Sequence, residues 1–247
     1  MTGFWGAVME EREAREDRAS EVLEAAGNSQ MCRVSDNIPF DCIAITAPNP
    51  SASAAYLDEL VARLDGGGTK EVMILAVSDP EGVRIGSGGG TLNAVLEIDE
   101  ALRAAGIEDG DSDPHAPGLA ASRVLLVHSG GDSQRSPTQC VCGKAWSALN
   151  SCGNDHSNPS AGEGRAAGCN TPMDLLLDHL SRLFSGGGTL PLGSLVVTAC
   201  DVMLLIPAHV AAAADWSVWS SDYLGDGVAG LSIAADARKY APNHGVY

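Results

Sequence analysis

Short apolar runs alternate along the chain with longer segments in which apolar residues recur every three or four positions. Four of these runs have the length and composition of buried strands: residues 41–47, 71–77, 123–128 and 194–199. A later run, residues 227–235, is a further strand candidate. Continuous apolar strands that alternate with helices are typical of a mostly parallel sheet covered by helices on both faces. The pattern therefore predicts an α/β fold.

The longer segments have the spacing of helices. Residues 51–64 repeat apolar side chains every three or four positions, and a serine is placed to cap the start. Residues 171–184 open with threonine and then proline, a common helix start. Between them, a loop over residues 78–90 should lead into a helix over residues 91–105. That helix should direct four apolar side chains toward the sheet: Leu92, Val95, Leu96 and Leu102.

Two segments fall outside this alternation. Residues 1–37 are acidic, and residues 8–26 have the pattern of a charged, solvated helix, so we expect a helical N-terminal extension. Residues 150–170 are rich in small and polar residues, a composition typical of a flexible insertion. The domain itself is expected over residues 38–247.

The charge balance narrows the classes of partner. The formal net charge is −17 at pH 7, and such a surface repels nucleic-acid backbones and anionic lipids. No apolar run is long enough to span a bilayer, and the N-terminus lacks the basic and apolar regions of a signal peptide. We therefore expect a cytoplasmic protein that binds neither nucleic acid nor membranes.

The seven cysteines include one C-x-C pair, Cys140 and Cys142, and no C-x-x-C spacing. Structural zinc sites usually need paired C-x-x-C knuckles, and disulfide scaffolds are usually short secreted chains. Free thiols are therefore the expected state. A metal or redox pair at Cys140 and Cys142 is the alternative.

Glycine-rich segments follow two of the predicted strands, at the edge where parallel sheets bind ligands. GSGGGT, residues 86–91, leads into a helix whose N-terminus favours anions, although its spacing is neither that of a Rossmann nor of a Walker motif. The second segment begins with Gly130 and Gly131. Arg135 and Lys144 follow, and cations are scarce in this acidic chain. The alternatives are a flexible turn and solvated surface cations.

Those residue types suit a nucleotidyl transfer. Backbone N–H groups can hold the nucleotide, a guanidinium can stabilise the departing pyrophosphate, and an ammonium can hold the attacking sugar phosphate. Asp201 follows the strand at residues 194–199, where its carboxylate would project toward the same edge. Mg²⁺ takes one or two carboxylates and completes its shell with phosphate oxygens and water. Asp201 is therefore a candidate Mg²⁺ ligand, with a turn or a helix cap as the alternative.

Four motifs occur in an order that resembles one protein family. They are DPEGVRIGSGGGTLNAV, VLLVHSGGDSQRSP followed by Gly143-Lys144, LVVTACDVMLLIPA and the terminal NHGVY. Over residues 38–247 the chain resembles the N-terminal region of bifunctional L-fucokinase/GDP-L-fucose pyrophosphorylases and the related fucose-1-phosphate guanylyltransferases. The resemblance implies a glycosyltransferase-A-like nucleotidyltransferase fold. It also implies a reaction of GTP with L-fucose 1-phosphate, with Mg²⁺ as cofactor, and a downstream sugar-kinase domain.

The resemblance also implies roles for individual residues. Arg135 and Lys144 match the catalytic cations, and Asp201 matches the aspartate expected to hold Mg²⁺. The residues implied to bind nucleotide or substrate are Gly88, Gly89, Gly90, Thr91, Asn93, Gly130, Gly131, Ser133 and His244.

Several features depart from the family pattern. Cys200 stands where glycine commonly precedes the metal aspartate, and TQCVCG replaces the usual tract before Lys144. The chain ends at NHGVY, where the family's sheet would continue, so we expect a fold that is incomplete at its C-terminus. Two alternatives stay open: a non-catalytic nucleotidyltransferase-like domain that serves an L-fucokinase in a structural or regulatory role, and a different nucleotide-binding α/β protein.

Overall fold

The computed structural model describes residues 29–66, 68–80, 83–105, 118–129, 143–149, 171–185 and 190–202. These residues form five strands and three α-helices, in the order β1 (Ser29–Val34), β2 (Cys42–Ala47), α1 (Pro50–Leu64), β3 (Lys70–Ser78), α2 (Gly86–Ala104), β4 (Val124–His128), α3 (Pro172–Ser185) and β5 (Leu195–Ala199). The predicted α/β class is confirmed. The predictions over residues 8–26, 150–170 and 227–235 lie outside the described residues.

The strands form one mixed sheet in the order β1-β3-β2-β4-β5. β2, β3, β4 and β5 are parallel, and β1 is antiparallel to β3, so the prediction of a mostly parallel sheet is confirmed. The chain moves outward from β2 to β3 and then returns past β2 to form β4. In open α/β sheets, ligands bind at the carboxyl ends of the strands, next to such a reversal.

The edge strand β1 was not predicted. It lies within residues 1–37, the predicted N-terminal extension. Only Cys32 and Val34 are buried in this strand, whereas Gln30, Met31 and Arg33 are exposed. Two inward apolar positions separated by an exposed residue form too weak a pattern to indicate a strand, and the pairing with β3 is what orders it.

Alternate side chains of the strands form two cores, one on each face of the sheet. One core joins the isoleucines of β2 and β3 to α1 and α3 through Ile43, Ile45, Ile74, Leu60, Met173 and Leu176. The other joins the opposite face to α2 through Ala44, Met73, Leu75, Ala94, Ile98 and Leu102. Helices therefore cover both faces, as predicted. Within the described ranges, no helix is long and apolar enough to cross a membrane.

The helix starts agree with the predictions in one case and differ in another. Thr171 caps α3. Its hydroxyl oxygen accepts from the backbone N–H of Asp174 at 3.3 Å, and its own backbone N–H donates to Asp174 Oδ2 at 2.9 Å. The serine cap predicted for α1 is wrong. Asn49 is the cap, and its side-chain oxygen accepts from Ala52 N at 2.9 Å. Ser53 is instead buried and donates to Ala76 O at 2.6 Å.

Helix α2 differs from the prediction in both its start and its inward face. It begins at Gly86, so the predicted loop over residues 78–90 is wrong for its last five residues. Leu92 and Leu96 are 69% and 66% exposed rather than inward. The buried positions are Gly90, Ala94, Ile98, Ala101 and Leu102. Small residues dominate this face because they let the helix backbone approach the sheet closely.

Candidate functional site

The carboxyl ends of β2 and β4 meet α2 at His128. The imidazole of His128, the last residue of β4, lies with Nε2 2.9 Å from Oγ1 of Thr91 in α2. Its Nδ1 lies 3.4 Å from Oγ1 of Thr46 in β2. Burial lowers the pKa of His128, and the nearby carboxylate of Asp79 partly opposes this effect. One partly buried imidazole therefore connects two strands and a helix at the edge where a ligand is expected.

The glycine-rich segment forms the first turn of α2. The backbone N–H groups of such a turn have no partner within the helix and favour anions. A methyl group added to Gly88 would have no atom within 4 Å, whereas one added to Gly90 would lie 3.8 Å from His128 Cε1 and 3.9 Å from Asp79 Oδ1. The turn therefore has an open side at Gly88 and a packed side at Gly90. Gly89 lies between them, and a methyl group there would meet the Ile85 side chain.

Asn93 lies one turn further along α2 and anchors the helix. Its amide group donates to Ser78 O, at the end of β3, at 3.3 Å and to Glu97 Oε1 at 3.0 Å. Of the residues predicted in this motif, Asn93 and Thr91 thus have side-chain hydrogen bonds to neighbouring elements. Gly88 faces open space.

The structure brings Lys144 and Asp201 together. Lys144 Nζ lies 2.7 Å from Asp201 Oδ2, and the two side chains are 25% and 45% exposed. Asp201 follows β5, and the backbone N–H of the preceding Cys200 donates to His128 O at 2.9 Å. The ion pair therefore belongs to the same edge of the sheet as His128.

The turn that holds Lys144 is fixed by α1 and α3. Gly143 has φ +75°, and an added methyl group would lie 2.7 Å from the Tyr56 hydroxyl oxygen, so glycine is required there. The carbonyl of Ala145 accepts from Met173 N, in α3, at 3.2 Å. The ring of Trp146 lies 6.0 Å from that of Tyr56 and 5.3 Å below the guanidinium of Arg63.

Cys200 does not act as a nucleophile or a thiolate ligand here. Its thiol is fully buried and donates to Ser129 O at 2.9 Å. Burial and the neighbouring Asp201 raise the pKa of this thiol to about 12, so it stays protonated. Cys32 and Cys42 are likewise buried and free, which confirms the expected free thiols among the described cysteines. Cys140 and Cys142 lie outside those residues.

Not every predicted site residue has a described position. Gly130, Gly131, Ser133, Arg135 and His244 fall outside the described part of the chain. His128 belongs to the candidate site although no sequence motif predicted it. The signal that could have identified it is its place as the last residue of an apolar strand, directly before the Ser-Gly-Gly segment.

Comparisons with known proteins identify relatives of the chain. The family model described as the fucose pyrophosphorylase domain matches residues 117–247. The bifunctional fucokinase/GDP-fucose pyrophosphorylase of Arabidopsis thaliana is 32% identical over 154 residues, which is 59% of this chain and 14% of that protein. The fucose-1-phosphate guanylyltransferases of Mus musculus and Homo sapiens are 36% and 32% identical over 115 residues, 44% of this chain.

The chain spans only a small part of these relatives. It covers 14% of the Arabidopsis protein and 17% and 16% of the mouse and human proteins. No solved structure matches it.

Proposed function

The chain belongs to the fucose pyrophosphorylase family, and from this premise we propose that it joins GTP to L-fucose 1-phosphate, forming GDP-L-fucose and releasing pyrophosphate. The names of the mouse and human relatives, fucose-1-phosphate guanylyltransferase, support this reaction. We also infer a glycosyltransferase-A-like nucleotidyltransferase fold. The sheet topology is compatible with this fold, because strands are added on one side of β2 up to β3 and on the other side from β4, and open α/β sheets bind ligands at such a switch point.

The contact between Lys144 and Asp201 is the observation that supports the proposal most directly. The ammonium and the carboxylate neutralise each other at 2.7 Å on a partly exposed edge of the sheet. A phosphate bound with Mg²⁺ offers the same two partners, an anion for Lys144 and a cation for Asp201. The pair can therefore open toward such a ligand without leaving either charge unpaired.

Asp201 suits Mg²⁺ as a single carboxylate ligand. Its side chain is 45% exposed, and its Oδ1 makes no hydrogen bond to another described residue. Mg²⁺ commonly takes one or two carboxylates and fills its remaining positions with phosphate oxygens and water. No group of three His, Cys, Asp or Glu side chains in the described ranges is arranged to hold a metal. When bound, Mg²⁺ would neutralise charge on the triphosphate.

The proposed reaction is a displacement at the α-phosphorus of GTP. An oxygen of the fucose phosphate forms a bond to that phosphorus, and the bond from the phosphorus to the α–β bridging oxygen breaks, so that its electron pair leaves with pyrophosphate. Lys144 would hold the attacking phosphate, and Arg135 would stabilise the departing pyrophosphate. The role of Arg135 rests on the resemblance of its motif.

The remaining site residues are proposed to bind the substrates. The segment after β4 would hold the nucleotide through Gly130, Gly131 and Ser133. The first turn of α2 would bind phosphate through the backbone N–H at Gly88, and Gly89, Gly90, Thr91 and Asn93 would shape this turn and hold it in place. His244 would lie near the sugar. The Arabidopsis relative is named as both fucokinase and pyrophosphorylase. We propose a sugar kinase as the source of L-fucose 1-phosphate for this chain too, and a cytoplasmic location.

A pyrophosphate-release assay tests the proposal. The purified chain is incubated with Mg²⁺, L-fucose 1-phosphate and GTP, and with ATP or UTP in place of GTP. We expect release that requires the sugar phosphate and is fastest with GTP. Equal release with all three nucleotides would contradict the proposed base preference. Calorimetric binding of GTP without release would favour the non-catalytic role.

A further inference from the structure

We propose that His128 is a positioning residue which, as a neutral imidazole protonated at Nε2, ties the end of β4 to the glycine-rich turn of α2 through Thr91. The hydrogen-bond arrangement stands on the structure alone. Its consequence for nucleotidyl transfer rests on the proposed function.

The contacts of Thr91 determine which atom donates. A hydroxyl has one hydrogen, and Thr91 donates its hydrogen to the backbone carbonyl of Ser87, with 2.9 Å between the two oxygens. A carbonyl oxygen can only accept. The Thr91 oxygen must then accept in its second contact, with His128 Nε2 at 2.9 Å. Nε2 therefore holds the proton.

The contacts of Thr46 agree with the same tautomer from the other side of the ring. Oγ1 of Thr46 accepts from the backbone N–H of Ser129 at 3.3 Å, which leaves its own hydrogen free to be donated. His128 Nδ1 lies 3.4 Å from this oxygen, within reach of that hydrogen, and an unprotonated Nδ1 would accept it. The contact with Thr91 assigns the proton to Nε2, and the contact with Thr46 is compatible with that assignment.

The surroundings of the ring agree with a neutral side chain. Burial lowers the pKa of His128 below its ordinary value of 6.5. Asp79, which follows β3, is the charged group that acts on the ring from the described residues, and it partly opposes this shift. Thr46 and Thr91, on β2 and α2, are uncharged. Protonation would place a second donor at Nδ1, and the hydroxyl hydrogen of Thr46 would then have to point away from the ring.

The connected segments are the two that are proposed to hold phosphate. Ser129 directly precedes Gly130, and Ser87 lies in the first turn of α2, next to Gly88. Hydrogen bonds run from Ser129 through Thr46, His128 and Thr91 to Ser87. The role proposed for His128 is therefore to keep the two segments in register through these hydrogen bonds. Small displacements of positioned groups can lower rates by about 10²-fold.

The first test is spectroscopic and needs no ligand. Two-dimensional ¹H–¹⁵N spectra of the ¹⁵N-labelled chain report the protonation of each imidazole nitrogen at pH 7.5. The His128 signals are assigned from their absence in His128→Gln, and His179 on α3 serves as the internal reference. We expect His128 to be protonated at Nε2 and unprotonated at Nδ1. A proton on Nδ1, with or without one on Nε2, would overturn the proposal.

The second test measures whether His128 acts through Thr91. Kinetics of pyrophosphate release are compared for His128→Ala, Thr91→Val, the double variant and Thr91→Ser, with His179→Ala as the matched control. We expect each of the first two to lower kcat by about 10- to 100-fold, the double variant to be no worse than either, and Thr91→Ser to keep most activity. The link between His128 and Thr91 would be overturned if the loss of kcat in the double variant equalled the product of the two single losses. A Thr91→Ser variant as slow as Thr91→Val would also overturn it.

The two tests fail in different ways. If the unaltered chain releases no pyrophosphate, the proposed function is wrong, and the imidazole spectrum still decides whether the hydrogen bonds exist. If a variant unfolds, the ¹H–¹⁵N spectrum of the unaltered chain still tests whether His128 is protonated at Nε2 alone.

Discussion

Two contacts at the same edge of the sheet differ in almost every physical respect. The side chains that lie within hydrogen-bond distance of His128, Thr46 and Thr91, are uncharged, and their contacts with the ring are partly buried. The pair of Lys144 and Asp201 is charged, with side chains 25% and 45% exposed. The contacts of His128 link elements of the fold, whereas Lys144 and Asp201 can separate and bind other charged groups. The site thus combines rigid positioning with replaceable charge contacts.

Energetics support this division of roles. A neutral hydrogen bond contributes about 0.5–1.5 kcal/mol to stability, and leaving a buried partner unsatisfied costs about 1–3 kcal/mol. An exposed ion pair contributes only about 0–1 kcal/mol, because water solvates both charges when it opens. A ligand can therefore separate Lys144 from Asp201 at small cost, whereas disturbing His128 affects three elements of the fold.

The largest expected effect comes from removing the charge of Lys144. We predict that Lys144→Ala slows pyrophosphate release about 10²- to 10³-fold, the range for loss of one stabilising group. The free energy of unfolding should change by less than about 1 kcal/mol. Arg182→Ala is the matched control, since it removes a cation 63% exposed on α3. Equal rates for the two variants would contradict the role of Lys144.

The next effect tests how firmly the Lys144 turn is held. Gly143→Ala puts a methyl group 2.7 Å from the Tyr56 hydroxyl oxygen at φ +75°. We predict a loss of about 1–3 kcal/mol in the free energy of unfolding by urea. Adding Tyr56→Phe should recover part of this loss, because it removes the clash but not the backbone strain. Unchanged stability in Gly143→Ala would contradict the tight turn.

A smaller effect separates helix stability from ligand binding at the glycine-rich turn. Gly88 has open space beside it, so Gly88→Ala should raise the free energy of unfolding by up to about 1 kcal/mol. If phosphate approaches this backbone closely, the same methyl group should weaken GTP or L-fucose 1-phosphate binding in a calorimetric titration. Ser87→Ala, in the same turn, is the control. Improved stability with unchanged affinity for both ligands would show that Gly88 is not at the site.

The smallest expected effect is the pH dependence that comes from His128. Its pKa is lowered in the folded chain, so the unfolded chain binds the proton more tightly. The stabilisation is complete above the ordinary value of 6.5 and is lost as the pH falls toward the folded pKa. The effect is small because Asp79 opposes burial. Unfolding free energies of the unaltered chain and His128→Gln should converge as the pH falls. If the difference in unfolding free energy between the two proteins stayed constant with pH, the lowered pKa of His128 would be contradicted.

Much of the sheet could be predicted because its signal is local. β2, β3, β4 and β5 are continuous apolar runs, and each lies within one residue of its predicted bounds at both ends. β1 has no such run, and its order comes from pairing with β3. On the inward face of α2, the prediction for Leu102 is confirmed and the predictions for Leu92 and Leu96 are wrong. The face that packs on the sheet also includes Gly90, Ala94 and Ala101, small residues that an apolar pattern based on leucine does not indicate.

The site could be predicted only where a motif names its residues. Lys144 and Asp201 are 57 positions apart, and the positions of the strand ends and the family resemblance both suggested one site, but neither predicted that the two side chains form an ion pair. His128 has no motif of its own, because its role depends on Thr46 and Thr91, which lie 82 and 37 positions away. A histidine at the end of a strand becomes informative only when the fold shows what it touches.

The reverse reaction tests the central claim most directly, because pyrophosphate attacks the same α-phosphorus, the bond from this phosphorus to the fucose phosphate breaks, and the α–β bond of GTP forms. The chain is incubated with GDP-L-fucose, Mg²⁺ and ³²P-labelled pyrophosphate, and labelled GTP is measured. We predict that label enters GTP only when GDP-L-fucose is present, and that Lys144→Ala lowers its rate about 10²-fold or more while Arg182→Ala does not. No labelled GTP, or equal labelling by Lys144→Ala, would contradict guanylyl transfer at this site.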